Sequence, residues 1–396
     1  QRLAKLREFD PLIASSSRKV IEEIAKSDRP SALIAKAMVD FGMFTQRLNQ
    51  VEKVLECRTG RAHPDFRCMG TRTGRMAGTA GLNWQGIPQA KGGLGIRAAM
   101  ETAAGGDFDQ FEVAIAAAAF PDAAIQEDLD LGTDQHTMNA VLMHPEAKAA
   151  GWDYPTMLAL VKAKDPKAVG VRKATKAVSF ALQYFAQAPK VAESLGITQE
   201  EAEKSLARYY QRYSGFAAYK RQVEKDTQTA DTERWNSLSV AFMARGMDDL
   251  TGYQMTWKFE ASVADALWTL GGVGIRTGRS GSIVRTPEKG SQTIDGAVKS
   301  ALLGGAIAIQ AAVTRQRGNA KVQATGANLT KMLMARMWET LHCPVICVHD
   351  EVQLARHPNY NHEAAERVVK DFIAEWKPVI KSISMDFRAT SVWADK

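Results

Sequence analysis

The sequence predicts an α+β fold in which helices outweigh strands. Apolar residues recur at helical spacing through three stretches, residues 17–56, 131–230 and 301–341. Residues 57–106 are instead rich in Gly, Arg and Thr, which is typical of strands and turns. A second strand region follows at residues 344–354, where two apolar runs flank a His-Asp-Glu turn. These regions together predict a helical body with a smaller sheet.

Local signals set the other boundaries. Pro30 divides the first helical stretch into two helices. Residues 107–125 become helical around an alanine run. Thr198 and Glu201 form a capping box, which predicts a helix that continues to Val223. The remaining predicted elements are a mixed segment at 231–300, a helix at 362–376 and a closing strand.

The composition is that of an ordinary globular chain, with 45% apolar and 24% charged residues among 396. Wholesale disorder is therefore excluded, and no apolar run approaches the ~20 residues that span a bilayer. The four cysteines form no C-x-x-C pair, which favours reduced thiols in a reducing compartment over a zinc site. Because the first residue is Gln, we expect the sequence to be a piece of a longer chain.

Charge is distributed unevenly along the chain. The net charge is +7. Residues 1–106 hold 17 Lys and Arg against 10 Asp and Glu, whereas the rest of the chain holds 34 of each. A basic segment ahead of a neutral body suggests contact with a polyanion such as nucleic acid. A solvated basic helix face is the alternative, and charge alone does not decide between them.

Two aspartates stand in apolar surroundings, where an isolated carboxylate is costly. Asp107 lies in the segment GGDFDQFEVAIAAAAF, and Asp350 lies at the tip of the hairpin VICVHDEVQL. Carboxylates beside buried strands are usually paired or bound to a cation. A hard divalent metal prefers such oxygen ligands. The alternative is a pair of ordinary turn aspartates.

Four residues of one predicted helix form a strip of two cations and two aromatic rings. Arg172, Lys176, Phe180 and Tyr184 are each four residues apart in RKATKAVSFALQYF, so they share one helix face. This order of side chains suits a triphosphate followed by a stacked base. An amphipathic helix with a solvated basic end is the alternative.

These residues resemble the motifs of family A, the DNA polymerase I-like DNA polymerases, and of its bacteriophage branch in particular. The strip resembles the fingers helix of that family. Asp107–Glu112 resembles its first catalytic motif, and His349-Asp350-Glu351 resembles its third. Further matches in the expected order are Thr73-Gly74-Arg75, Leu82–Pro88, Asp134–Thr137, Arg315–Ala327 and Ser391–Trp393. The matches run from about residue 55 to the end.

The resemblance implies a right-hand polymerase fold with an antiparallel palm sheet, helical fingers and a short or truncated helical thumb. The implied regions are a partial thumb at 1–55, the first part of the palm at 56–125, the fingers at 126–314 and the second part of the palm at 315–396. Residues 231–270 are expected to form an insertion in the fingers. The basic excess of residues 1–106 would then lie where duplex product is held.

The resemblance also implies template-directed addition of deoxynucleotides to a primer 3′ end by a two-metal-ion mechanism. Asp107, Asp350 and the Phe108 carbonyl are the expected ligands of two Mg²⁺ ions, with Mn²⁺ as an alternative. Lys176 is expected to neutralise the phosphates together with Arg172 and to protonate the leaving group.

The other implied contacts involve the nucleotide and the DNA. The expected nucleotide-binding residues are Arg172, Lys176, Phe180, Tyr184, Glu112, His136 and Gln110. The expected DNA-binding residues are Arg75, Asn83, Gln85, Arg315, Asn319, Gln323 and His349. Glu351 is expected behind the metal ligands without binding metal itself. The implied partners are primer–template DNA and deoxynucleoside triphosphates, with no membrane. The implied protein is a monomeric catalytic unit in the cytoplasm, that of a bacterial host if it is phage-encoded.

The sequence departs from the family pattern at several positions. Phe185 stands where a glycine usually follows the fingers tyrosine, and Ala181 replaces another usual glycine. We therefore expect a stiffer and bulkier helix beside the template base. Phe108 replaces the tyrosine of the first motif, and Ala114 stands where an arginine is frequent.

Two rival functions remain open at this point. A single-subunit RNA polymerase shares the carboxylates and the fingers helix. Against it, Glu112 stands where an acid would clash with a ribose 2′-hydroxyl, and the third motif ends in Glu351 rather than Ser. The second rival is a duplex-binding protein with a decayed polymerase fold. The presence of both aspartates and both fingers cations argues against it.

Overall fold

The computed structural model describes residues 7, 10–11, 13, 15, 17–56, 60, 63–79, 82–87, 95–120, 122–227, 257–271 and 294–395. Of the insertion predicted at 231–270, residues 231–256 lie outside this description. Within the described part of the chain, no helix combines the length and the hydrophobicity that a bilayer crossing requires.

Two helices lie at the start of the described chain. They are α1 (Arg18–Ala25) and α2 (Ala32–Leu55), and the turn between them contains Pro30, as predicted. They pack on each other through a small apolar cluster around Ile24 and Ala35. Pro cannot supply a backbone N–H to a continuing helix, which accounts for the break.

Within the described residues, six strands form two antiparallel sheets. The first sheet is a short ladder of β1 (Phe66–Arg67) and β2 (Ala77–Gly78). The second has four strands in the order β4 (Val345–Val348), β5 (Glu351–Leu354), β3 (Ala104–Phe108) and β6 (Met385–Ala389), and every neighbouring pair is antiparallel. The predicted strand–turn–strand at 344–354 is the β4–β5 hairpin.

Helices make up most of the described chain after β3. In chain order they are α3 (Phe111–Ala119), α4 (Ala123–Asp130), α5 (Gln135–Met143), α6 (Pro145–Ala149), α7 (Tyr154–Lys162), α8 (Pro166–Gln183), α9 (Ala188–Leu195), α10 (Gln199–Arg212), α11 (Ser214–Thr227), α12 (Lys258–Leu270), α13 (Ile294–Leu341) and α14 (His362–Trp376). Short 3₁₀ turns occur at Trp84–Gly86, Ile96–Ala99 and Trp393–Asp395.

The predicted capping box is present at the start of α10. The Thr198 hydroxyl accepts a hydrogen bond from the Glu201 N–H, and the Glu201 carboxylate accepts one from the Thr198 N–H. The sequence predicts that this helix continues to Val223, and this prediction is wrong. It ends at Arg212, and the following residue, Tyr213, is buried in the core, where its hydroxyl donates to the buried carboxylate of Asp128.

The long helix α13 has 48 residues and starts seven residues before the predicted position. At 1.5 Å per residue it is about 70 Å long. The boundary predicted between fingers and palm, at residues 314 and 315, falls inside this helix. One continuous helix therefore joins the two predicted regions.

Apolar side chains cover both faces of the four-stranded sheet. On one face, Phe108 and Val352 belong to the main core, which also includes residues of α3, α8, α11, α13 and α14. On the other face, Val348 packs with Trp84 and Trp393. The last strand of this sheet, β6, ends at Ala389. The matched segment Ser391–Trp393 adds one antiparallel bridge, between Val392 and Glu101, and the Trp393 ring packs on Trp84 with centroids 6.3 Å apart.

Candidate active site

The two aspartates lie side by side at one end of the four-stranded sheet. Asp107 is paired with Glu351 across β3 and β5, and Asp350 is the residue before Glu351 in the turn of the β4–β5 hairpin. Paired residues of antiparallel strands are about 5 Å apart. The backbones of the two aspartates are therefore close neighbours, and both side chains are half-buried.

Tight turns keep both aspartates at the sheet end. His349 occupies the hairpin turn with φ +62°, and Gln110 leaves β3 with φ +43° before α3 begins. Gly105 permits close approach in the central strand, since a Cβ there would lie 2.3 Å from the Gln353 amide. Gly105 thus makes room for the buried side chain of Gln353.

The Glu351 carboxylate is buried behind this pair, at 5% exposure. It accepts hydrogen bonds from Gln353 Nε2 at 2.7 Å, from Trp393 Nε1 and from Arg97 Nη1 at 3.4 Å. The Arg97 guanidinium also lies 4.2 Å from the centre of the Trp393 ring. Sequence reasoning did not identify Arg97, because nothing local to it indicates a partner 254 residues away.

A cleft of about 690 Å³ opens beside Asp350 and Phe108. The sheet, α3, α5, α8 and α13 all contribute to its walls. The predicted site residues that line it are Arg75, Phe108, Gln110, Glu112, His136, Arg172, Phe180, Asn319, His349 and Asp350. The fold therefore brings most of the predicted nucleotide-binding residues to one cavity with the hairpin aspartate.

Other predicted residues lie elsewhere. Tyr184, Arg315 and Gln323 line a second cleft of about 410 Å³, which shares Asn319 with the first. Gln85 lies at a small pocket near Arg75 and His349, where its amide donates to the Met76 carbonyl at 3.0 Å. Asn83 is exposed just before the Trp84–Gly86 turn. The predicted DNA-binding residues are thus spread along a surface rather than gathered in one cavity.

The predicted strip on α8 has the expected orientation. Thr175, Val178 and Leu182 form the buried face of the helix. On the opposite face, Phe180 and Tyr184 are 44% and 41% exposed. Lys176 is exposed with its ammonium 5.8 Å from the centre of the Phe180 ring, and Arg172 is half-buried. The burial pattern matches the predicted common face.

Asp134 holds Arg172 at the edge of the cleft. Its two carboxylate oxygens accept from Arg172 Nε at 2.6 Å and Nη2 at 3.0 Å. The same carboxylate caps α5 by accepting from the His136 N–H and the Thr137 hydroxyl. Burial opposes ionisation, but the bonds from Arg172 and Thr137 hold the pKa of Asp134 below its ordinary value. Sequence reasoning placed Asp134 in a motif without giving it this partner.

The His136 side chain extends from α5 towards the strip. Its ring is 5.5 Å from the Phe180 ring, measured between centroids. Burial lowers the pKa of His136, and the positive charges of Lys176 and Arg172 lower it further. Burial and the two nearby cations therefore favour the neutral imidazole.

Glu112 is bonded to Arg75 across the cleft. Arg75 Nη2 lies 2.7 Å from Glu112 Oε1, and both side chains are about one-third exposed or less. A residue predicted to bind DNA thus fixes the carboxylate predicted to exclude a 2′-hydroxyl. Their separation of 37 residues explains why the pairing was not predicted.

The expectation of a bulkier helix beside the template base is wrong for Phe185. This residue lies beyond the end of α8 with φ +55°, and its ring is 1% exposed. The ring points into the core, so its bulk is not presented on the face that carries Tyr184. Ala181 is within α8 and half-buried, and Ala114 is buried in α3.

Within the described residues, no three His, Cys, Asp or Glu side chains converge into a group able to hold a metal ion. The smaller donor set at the sheet end is the carboxylate pair Asp107 and Asp350 beside the Phe108 backbone. Oxygen donors of this kind suit Mg²⁺, which keeps few protein ligands and takes the rest from phosphates and water. The residues present therefore fit a divalent cation that binds together with its substrate.

Comparison with known proteins matches this architecture. The family model of DNA polymerase family A matches residues 5–234, which is more than half of the chain. The chain is 30% identical over 178 residues to the thermostable DNA polymerase I of Thermus filiformis, covering 43% of this chain and 19% of that protein. It is 28% identical over 176 residues to DNA polymerase I of Treponema pallidum, covering 43% and 16%. The chain thus matches less than a fifth of the length of these two curated relatives.

A solved structure extends the likeness to almost the whole chain. The POL domain of Pol1 from M. smegmatis, in complex with DNA primer-template and dNTP, matches with a TM-score of 0.63. The match covers 96% of this chain and 56% of that chain, at 19% identity. The predicted polymerase fold is confirmed by this likeness, together with the antiparallel sheet and the helical body around it.

Proposed function

The chain belongs to DNA polymerase family A, and from this premise we propose that it adds deoxynucleotides to a primer 3′ end under the direction of a template. One observation carries the proposal: the hairpin aspartate Asp350 lines the same cleft as Arg172 and Phe180 of the strip on α8. Membership of the bacteriophage branch, a cytoplasmic location and a monomeric catalytic unit belong to the same proposal.

In this proposal, Asp107, Asp350 and the Phe108 carbonyl hold two Mg²⁺ ions. When bound, the ions lower the pKa of the primer hydroxyl and neutralise charge on the phosphates. The carboxylates keep their orientation because the hairpin turn and the end of β3 fix their backbones. The buried cluster around Glu351 supports the hairpin from behind.

The strip on α8 binds the nucleotide. Arg172 contacts the triphosphate through the guanidinium hydrogens that Asp134 leaves free, and His136 adds a neutral N–H donor. Lys176 neutralises the phosphates and donates a proton to the departing pyrophosphate. Phe180 stacks on the base, since its ring is exposed at the cleft. Tyr184 lies on the template side, next to the second cleft.

Specificity for deoxyribose would come from Glu112 and Gln110 at the start of α3. Arg75 restrains the Glu112 carboxylate, so a ribose 2′-hydroxyl meets a fixed acid rather than a mobile one. Arg75, Asn83, Gln85, Arg315, Asn319, Gln323 and His349 are the proposed contacts to primer–template DNA. Minor-groove acceptors occupy similar positions in every base pair, so such contacts report pairing geometry rather than sequence.

The test is Mg²⁺-dependent primer extension by the wild type and by Asp107→Asn and Asp350→Asn. Each substitution removes one charge without changing side-chain size. We expect extension to fall by more than roughly 10³-fold, while primer–template affinity stays within a few-fold. Asp386→Asn is the matched control, because Asp386 is also paired with Asp107 but lies exposed on β6.

Three results would contradict the proposal. Near wild-type extension by either aspartate variant would remove that residue from the metal site. Duplex binding without any extension by the wild type would favour the decayed, non-catalytic rival. Faster use of ribonucleotides than of deoxynucleotides would favour the RNA polymerase rival.

A further inference from the structure

Phe185 ends α8 in a backbone conformation that glycine favours. Its φ is +55°. The Phe185 N–H donates to the Leu182 carbonyl at 2.9 Å, and the Ala186 N–H donates to the Ala181 carbonyl at 3.1 Å. These are the two bonds of a Schellman helix end, whose left-handed position is usually glycine because a side chain is unfavourable there. The Phe185 ring must therefore gain stabilising contacts elsewhere.

The ring makes those contacts against Gly318 in the middle of α13. A Cβ at residue 318 would lie 2.6 Å from the Cε2 atom of the Phe185 ring and 2.9 Å from Cζ. Carbon atoms do not approach so closely, so alanine does not fit at 318 while Phe185 is in place. Rings of Phe216 and Tyr219 lie on other sides, with centroids 5.8 and 6.0 Å away.

Among the glycines described on α13, Gly318 has the closest approach. A Cβ at Gly304, on the same helix, would meet nothing within 4 Å, and one at Gly305 would come no closer than 3.4 Å to Leu267. Glycine is unfavourable within a helix, and a bulky residue is unfavourable in the left-handed region. Each residue is thus unfavourable in its own backbone position, but the Phe185 ring occupies the space that a side chain at 318 would need. The two residues therefore form a complementary pair.

The pair lies next to residues that border the two clefts, and Gly318 itself lines the first of them. Tyr184 precedes Phe185, and its hydroxyl accepts a hydrogen bond from the Gln323 amide on α13. Asn319 follows Gly318 and borders both clefts. The end of α8 is therefore attached to α13 at two points, through Phe185 on the core side and through Tyr184 on the cleft side.

We propose that Phe185 and Gly318 are positioning residues for nucleotide selection. The Phe185 ring and Gly318 together fix how the end of α8 packs on α13. This packing sets the position of the Tyr184 ring relative to the two clefts. A displaced ring would tolerate mispaired geometries that the wild type rejects, because discrimination depends on a fixed site. The inference rests on the proposed polymerase function.

The test compares Gly318→Ala with Gly304→Ala, which adds the same methyl group to the same helix in open space. The measured quantity is the ratio of single-turnover efficiencies for a matched and a mismatched nucleotide. We expect Gly318→Ala to lower this ratio about tenfold, an effect within the range of interaction free energies between residues in direct contact. Gly304→Ala should leave the ratio unchanged.

Two further backgrounds separate positioning from simple loss of stability. In a Phe185→Gly background the obstructing ring is gone, so Gly318→Ala should have no additional effect. In a Tyr184→Ala background the residue to be positioned is gone, so Gly318→Ala should again leave the ratio unchanged. Phe185→Gly alone introduces no overlap, so it tests the proposal even if Gly318→Ala does not fold; it too should lower the ratio.

Two outcomes overturn the inference. One is a Gly318→Ala or Phe185→Gly protein with a lower melting temperature but an unchanged ratio, which would make the pair purely structural. The other is an effect of Gly318→Ala that persists without Tyr184. A wild type that extends no primer would refute the proposed function instead, so the two failures are distinguishable.

Discussion

Replacing Asp134 by Asn tests whether the bond to Arg172 organises the triphosphate end of the cleft. Asn keeps the side-chain oxygen that caps α5, and Asn and Asp are about equal as N-caps. It loses the charge and the bidentate geometry that hold Arg172 Nε at 2.6 Å and Nη2 at 3.0 Å. The variant therefore separates placement of the guanidinium from helix capping.

The magnitude follows from burial of this pair. Hydrogen bonds to charged groups contribute about 1.5–3 kcal/mol when well shielded. The side chains of Arg172 and Asp134 are 30% and 26% exposed, so solvent reduces that value to roughly 1–1.5 kcal/mol. If this energy fixes Arg172 for the triphosphate, the nucleotide KM should rise about tenfold, since 1.4 kcal/mol corresponds to a factor of ten.

The assay is single-nucleotide incorporation over a range of nucleotide concentrations, with primer–template affinity measured beside it. We expect a higher KM, a smaller change in kcat and unchanged DNA affinity. Asp153→Asn is the matched control, because Asp153 caps α7 through the Thr156 N–H and bonds to no arginine within the described residues. A KM for Asp134→Asn within twofold of the wild type would refute the reasoning, as would equal losses in both variants.

Three further outcomes are expected. Lys176→Ala should slow the chemical step at saturating nucleotide by roughly 10²–10³-fold; a single-turnover rate that is unchanged while duplex affinity falls would move Lys176 to the DNA backbone. Glu112→Ala should raise ribonucleotide incorporation far more than it changes deoxynucleotide use, because it removes a steric block; an unaltered ratio of the two efficiencies would count against the gate. Burial lowers the pKa of His144, whose Nδ1 accepts from the Glu146 N–H. Below pH 6.5 the unfolded chain therefore binds protons that the folded chain does not, and the free energy of unfolding falls. Thermal unfolding should show a weaker pH dependence for His144→Gln than for the wild type; equal slopes in the two proteins would contradict the assignment.

The parts of the site that sequence reasoning predicted are those fixed by local periodicity. Asp350 follows the apolar strand β4 and Asp107 lies near the end of β3, so the local sequence places both beside strands, and the structure makes these strand ends adjacent. The four-residue spacing from Arg172 to Tyr184 likewise determines one helix face regardless of what packs around it. Such features depend only on backbone geometry within a few residues.

The parts that were missed are the choices of partner between distant segments. Arg172 is bonded to Asp134, 38 residues away, and Arg75 is bonded to Glu112. Spacing along the sequence indicates which side chains face a cleft, but not which oppositely charged residue bonds to each of them. Phe185 is the clearest case, because its size suggested a crowded template side. The structure instead turns the ring toward Gly318, and the reason lies in a helix 133 residues further along the chain.

The contact between Phe185 and Gly318 also constrains how this chain can change over generations. While residue 185 carries a ring, any side chain at 318 forces the ring or α13 to shift. The reverse order has no such cost, because replacing the ring by glycine relieves the left-handed backbone and vacates the space beside α13. Substitutions at these two positions are therefore favoured in one order: loss of the ring precedes gain of a side chain at 318, and that side chain then disfavours the return of phenylalanine.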